Sequence, residues 1–364
     1  MNKRLSEKYT LLGSNPKTKN NLLEGVKSFA KSPSIHFLLF GLIIVLIAYL
    51  AVEKTFPNII PYSWASALSV TMAYSVASIG FCLLMGYSGL ASLGTGGFIG
   101  IGTYAVYYII NVSGLSLWLA ILVAIAVAII IGAIVGFISL RIEGIYLVIL
   151  TLGLSEILRN LYVVIEDSIK IKNFEFVGFL FKRQHAIYIV MGLLVIVMII
   201  THNIINSPTG RAMLAMKNST AAAQAMGISL IKYRLLAFII CTVYAALSGV
   251  LLMVTLRSAR ASEGTGFYAL ITSLNILAAV IIGGYKSIWG AIFGTFVLYG
   301  LKTTILSNID FLSDELMVFI SGILVIVIVM FYPGGLAQLI GGLKYKIKKF
   351  ALKLREAKYG KDLG

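Results

Sequence analysis

Few side chains here have the type and spacing to do chemistry, and those few sit in apolar surroundings. Glu156 and Arg159 stand three residues apart inside an apolar run, so a helix there presents both on one face. A charge at membrane depth costs about 2.5–3.5 kcal/mol on insertion scales, so the two are expected to pair. The pair reads either as a structural intramembrane salt bridge or as a gate on a hydrated polar surface. Cys82 and Cys241 fall in apolar runs and read as small buried residues, with neither a disulfide framework nor a thiolate metal site. His36, His185 and His202 are far apart, and no H-E-x-x-H or G-x-S-x-G pattern occurs. The nearest approach to a phosphate loop, Gly283-Gly284-Tyr285-Lys286-Ser287, lacks the Gly-Lys pair. No metal site, bound cofactor or catalytic residue is expected, and the chain alone should not hydrolyse ATP. Transport and passive membrane scaffolding are the classes that remain.

A second cluster is made of glycine. Gly86, Gly89, Gly94, Gly96, Gly97, Gly100 and Gly102 lie within 17 residues. Each weakens a helix by about 1 kcal/mol relative to alanine, so such density marks close helix approach or an unwound stretch along a path. Gly89, Ser92, Gly94, Thr95, Gly96 and Gly97 are the expected pathway lining. Gly132/Gly136 and Gly290/Gly294 fit the G-x-x-x-G spacing and read as packing positions.

These groups must be carried by a bilayer fold. The chain has 364 residues, 59% apolar and 12% charged, with mean hydropathy +0.96. So few charges cannot keep a soluble surface wet, and the expected class is an all-α, polytopic transmembrane bundle. Ten apolar runs emerge at 35–51, 62–84, 90–112, 115–138, 144–165, 186–203, 235–255, 264–284, 288–306 and 315–332. With both termini inside, the inner segments hold 21 basic residues and the outer ones 7, as the positive-inside rule requires. The net charge of +16 then reads as basic loops beside anionic lipid, not as a nucleic-acid footprint.

The implied organisation is a basic cytoplasmic tail over 1–34, a transmembrane domain over 35–340 with a cytoplasmic loop at 204–234, and a basic cytoplasmic tail over 341–364. No cleavable leader is expected, because no small-residue cleavage site follows the first apolar run. Leu22, Leu23, Val26 and Phe29, and in the other tail Leu343, Ile347, Phe350 and Leu354, share helical faces. The tails read as interfacial helices or as solvated segments.

The loop 204–234 is the most informative stretch. Ser207 and Pro208 suit an N-cap and a first helical position. Asn218 or Ser219 can cap a second helix, and Gly227 can end it. From 207 to 229 the only charges are Arg211 and Lys217. So apolar a hairpin needs cover, either a partner's groove or the membrane and its own bundle.

Four ordered motifs resemble those of branched-chain amino-acid ABC importer permeases, in particular the LivM-type subunit. The loop carries Gly210-Arg211-Ala212-Met213-Leu214-Ala215-Met216, then Ala222-Ala223-Gln224-Ala225-Met226-Gly227-Ile228 and Tyr233-Arg234-Leu235-Leu236-Ala237-Phe238. The others are Gly86 to Gly102, Gly144-Ile145-Tyr146 through Glu156 and Arg159, and Gly283-Gly284 with Ser287-Ile288-Trp289-Gly290. The resemblance covers about 60–340. It implies a type II importer permease of about ten spans in a bacterial-type cytoplasmic membrane. It implies a second homologous permease, two cytoplasmic ATP-binding subunits and an extracytoplasmic solute-binding protein. It makes 204–234 the loop that meets the ATPase, with Gly210, Arg211, Ala212, Ala215, Ala222, Ala223, Ala225, Met226 and Gly227 as coupling residues. The expected cargo is branched-chain or similar small apolar amino acids, with urea or short amides, nucleosides or sugars as alternatives inside the family. An ion-coupled secondary transporter is the alternative outside it. Thr95 replaces the family's histidine, and Thr220 and Gln224 replace acidic residues.

Overall fold

The computed structural model describes residues 33–52, 62–139, 145–171, 175–176, 179–180, 185–262 and 268–300, with separate positions between 319 and 338. The first 32 residues and the tail 341–364 lie outside the described residues. Helix α1 (Pro33–Val52) is followed by α2 (Tyr62–Leu83), which runs on through a π-helical turn to Ser88. Helices α3 (Thr95–Val106), α4 (Leu117–Ser139) and α5 (Ile145–Glu166) come next. After α6 (Ala186–Asn206) come the short α7 (Pro208–Asn218) and α8 (Thr220–Ala225). The long α9 (Leu230–Leu256), α10 (Leu270–Gly283) and α11 (Ile288–Thr295) complete the described bundle. Among the described residues, nine of the ten apolar runs thus contain a helix. The tenth, 315–332, is described only at isolated helical positions, among them the exposed Phe319, Ile326 and Met330.

Burial sorts the helices into an inner and an outer set. Of the most apolar window in α2 and α9, 83% and 72% is buried, against 28% in α4 and 22% in α5. α9 packs against α2, α3 and α4. Its crossing with α3 is reciprocal: a Cβ at Gly102 would overlap the Ala246 carbonyl, and one at Gly249 the Ile99 carbonyl. Small residues admit such backbone contact where hydrocarbon provides no hydrophobic drive between helices. Gly290 and Gly294 face α10 at Gly283 and Ala279, while Gly132 and Gly136 face Thr242, Leu235 and Phe238 of α9. The outer set leaves Trp118, Leu122, Ile130, Ile157 and Val164 uncovered, which suits a hydrocarbon solvent.

Two boundaries differ from the hydropathy reading for physical reasons. Run 90–112 becomes helical only at Thr95, since Gly89 is left-handed at φ 74° and the chain stays non-helical to Gly94. Run 235–255 starts as a helix at Leu230, because nothing in Ile231 to Arg234 breaks a helix where apolar character stops. A two-stranded ribbon joins β1 (Ser168–Lys170) to β4 (Ser258–Arg260), pairing Ile169 with Ala259. A second joins β2 (Glu175–Phe176) to β3 (Phe179–Leu180). The α7–α8 hairpin precedes α9 and the β1–β4 ribbon follows it, so the two mark opposite ends, about 40 Å apart along a 27-residue helix.

Candidate functional site

The hairpin is shaped by local hydrogen bonds. Ser207 Oγ accepts from the Gly210 amide, with Pro208 in the first turn, and Ser219 Oγ accepts from the Ala222 amide at 3.2 Å. Ser219, not Asn218, is therefore the second cap. Gly227 closes α8 at φ 79°. The coupling set divides by burial. Gly210, Ala212 and Ala223 turn into the bundle with Met213 and Met216, and Ala215 is half-buried. Arg211, Ala222, Ala225, Met226 and Gly227 are exposed, joined by Ala221 and Gln224. Met226 is 80% exposed, so α8 presents a small, smooth apolar surface that none of the described residues covers.

Lys217 fastens this hairpin to the helices above it. Its Nζ donates to the carbonyls of Met85 and Gly86 at 3.0 and 2.9 Å, where α2 ends. The same ammonium lies 4.5 Å from the Tyr285 ring centroid, in the turn between α10 and α11. Its aliphatic stem lies against Gly89. A helix C-terminus attracts cations, and Tyr285 adds a cation–π contact. Partial burial, with Lys286 nearby, holds the Lys217 pKa below the ordinary lysine value. Sequence reasoning saw only a charge here. Its partners are backbone carbonyls more than 130 residues away, which no side-chain pattern reveals.

The break at 89–94 leads into the start of α3, where orphan amides meet hydroxyls from two other helices. Leu93 N–H donates to Thr151 Oγ1 at 3.0 Å and Gly97 N–H to Ser155 Oγ at 2.9 Å, both on α5. Gly96 N–H donates to Ser273 Oγ of α10 at 2.8 Å, and Gly94 N–H to Ser92 Oγ at 3.2 Å. Tyr162 of α5 donates to the Gly97 carbonyl at 2.8 Å. Of the expected pathway residues, Ser92, Gly94, Thr95, Gly96 and Gly97 are buried at these contacts, and only Gly89 is exposed. Thr95 Oγ1 is buried with no hydrogen-bond partner among the described residues. Sequence reasoning missed Thr151, Ser155 and Tyr162; their spacing of four and seven residues on one helix was the available signal, and it names no partner.

Glu156 follows Ser155 and faces elsewhere. Arg159 Nε donates to Glu156 Oε2 at 2.8 Å. The pair lines a cavity of about 470 Å³ with Ser262, Ala269, Leu270, Ile271 and Leu274. Among the described residues no group of three His, Cys, Asp or Glu side chains comes together.

The family described as branched-chain amino acid transport system / permease component matches residues 63–329. The high-affinity branched-chain amino acid transport system permease protein LivM of Escherichia coli K12 is 26% identical over 289 residues, covering 70% of this chain and 66% of that relative. The LivM protein of Salmonella typhimurium LT2 is similar to the same extent. The L-arabinose transport system permease protein AraH of Escherichia coli K12 is 28% identical over 236 residues, covering 64% of this chain and 70% of that relative. The chain spans about two thirds of the length of the LivM relatives. No solved structure gives a significant match.

Proposed function

The chain belongs to the branched-chain amino acid transport permease family, and on that premise we propose that it is a membrane-spanning subunit of an ATP-driven importer for branched-chain or similar small apolar amino acids. The observation that carries this reading is the bare face of α8, with Ala221, Ala222, Ala225 and Met226 held outward on a capped hairpin. A smooth helix of this kind fits a groove in a cytoplasmic ATP-binding subunit. Two such subunits supply the energy, a second homologous permease completes the path, and an extracytoplasmic binding protein delivers the cargo. ATP is bound by the partners and not by this chain. Both termini and the hairpin then lie on the cytoplasmic side, and the β1–β4 ribbon on the outer side.

The geometry suggests how work reaches the path. Movement of α8 is passed by α7 through Lys217 to the end of α2 and to the α10–α11 turn. The end of α2 leads directly into the 89–94 break and the hydroxyl contacts that seat α3. A pentose cargo is the second reading, favoured by the likeness to AraH.

The test is uptake in membrane vesicles that hold the complete system. Labelled leucine should enter only with ATP, and arabinose in excess should not compete. Gly227→Asp should uncouple uptake while the chain still inserts, since a Cβ at Gly227 meets nothing within 4 Å and the left-handed conformation is tolerated by Asp at modest cost. Normal uptake in that variant would count against the hairpin as the coupling element.

A further inference from the structure

We propose that the Glu156–Arg159 cavity is a binding site for a small zwitterionic α-amino acid with an aliphatic side chain, an inference that rests on the importer reading above. A purely structural ion pair in hydrocarbon is expected to be saturated and covered. This pair is neither. Arg159 Nε is engaged at 2.8 Å. Its two terminal nitrogens reach the Ala261 carbonyl and Asn160 Oδ1 only at 3.4 Å each, beyond the usual 2.7–3.2 Å range. Glu156 Oε1 has no partner among the described residues, and the two side chains are 36% and 24% exposed for Glu156 and Arg159. One carboxylate oxygen is therefore unpartnered among the described residues, and the guanidinium's terminal nitrogens hold only long hydrogen bonds, in side chains that line the same cavity.

The unpartnered carboxylate oxygen and the weakly held guanidinium edge match an ammonium and a carboxylate on one carbon. The cavity also receives the first turn of α10, which Ala269 leaves without a side-chain cap. Its orphan amides add positive potential for the ligand's carboxylate. Leu270, Ile271 and Leu274 form the apolar wall, and Ile271 and Leu274 are 43% and 39% exposed, leaving room for an aliphatic side chain. About 470 Å³ falls within the range of about 300–1,000 Å³ typical of small-molecule sites. A pentose offers neither an ammonium nor a carboxylate to these two charged groups.

The experiment is saturation-transfer NMR on the full chain in lipid nanodiscs, with L-leucine, leucinamide and 4-methylpentanoate as probes. L-leucine should bind, and the two probes that lack one charge should bind at least tenfold more weakly. Glu156→Gln and Arg159→Gln should each abolish the signal. Ile271→Trp, which fills the cavity and leaves the pair intact, should abolish it as well, so loss of fold in a charge variant does not remove the test. Absence of leucine binding to the native chain, or equal binding of all three probes, overturns the proposal. So do charge variants that bind leucine normally but no longer co-purify with a second permease, since the pair is then an interface contact. Leucine uptake by the complete system separates the two levels. Uptake with no site binding overturns the site alone, whereas site binding with no ATP-dependent uptake overturns the importer reading.

Discussion

Replacing Lys217 by Met keeps the aliphatic stem beside Gly89 and removes the ammonium that joins the hairpin to the bundle. The native group makes two charge-assisted hydrogen bonds, at 3.0 and 2.9 Å, and one ring contact at 4.5 Å. Hydrogen bonds to charged groups contribute about 1.5–3 kcal/mol each and a cation–π contact at an exposed site about 0.5–1 kcal/mol. The gross figure must be discounted, because Lys217 is only half-buried and solvent screens it. The same burial, with Lys286 adding repulsion, lowers its pKa and so marks a cost of holding the charge there. About 2 kcal/mol remains, which corresponds to roughly a thirtyfold change in an equilibrium. Since α8 is untouched, the ATPase should still bind. In proteoliposomes holding the complete system, ATP hydrolysis should continue while leucine moved per ATP falls by about ten- to thirtyfold. Lys217→Arg, which keeps a cation and its donors, should recover much of the ratio. A ratio within twofold of the native one for Lys217→Met would refute the reasoning.

Three further outcomes follow from the packing. Gly249→Ala sets a methyl on the Ile99 carbonyl, where backbone cannot yield as a side chain can, so thermal unfolding in detergent should show a loss of about 2–3 kcal/mol. Ser155→Ala leaves the buried Gly97 amide without its acceptor and should cost about 1–3 kcal/mol by the same measurement. Glu156→Leu should destabilise by about 1–2 kcal/mol, below the range for a fully buried pair because of its exposure. Glu156→Leu with Arg159→Leu should be milder than the single change, and strict additivity in that cycle would show that the two side chains act independently.

The spans were legible because hydrocarbon imposes one demand, a long apolar run, and imposes it locally. The hairpin was legible for a related reason: Ser207, Pro208, Ser219 and Gly227 act on backbone within three or four residues of themselves. What sequence could not separate were two uses of glycine that look alike in a string. Gly89 opens a break through a left-handed turn, whereas Gly102 admits a carbonyl of another helix. The partner decides, and the partner is distant. Lys217 was missed on the same ground. Glu156 and Arg159 were found because their spacing is internal to α5, but the cavity beside them is made by α10 and the ribbon end, which no spacing on α5 encodes.

The contacts along α5 differ in strength in a way that bears on transport. Toward the hairpin end, α3 is seated by single hydroxyl-to-amide bonds from Thr151, Ser155 and Ser273, each of about 1 kcal/mol net and exchangeable for water. Against α9 the same helix is locked by backbone overlap at Gly102 and Gly249, which cannot slide without large loss of contact. A force arriving at the end of α2 therefore meets a firm crossing on one side and a set of replaceable hydrogen bonds on the other. The adjacent residues Ser155 and Glu156 place the replaceable contact and the cavity on one turn of α5. A displacement that releases Gly97 from Ser155 thus acts within one residue of the cavity wall, and the hairpin, joined to the end of α2 through Lys217, can reach it without moving the α3–α9 crossing.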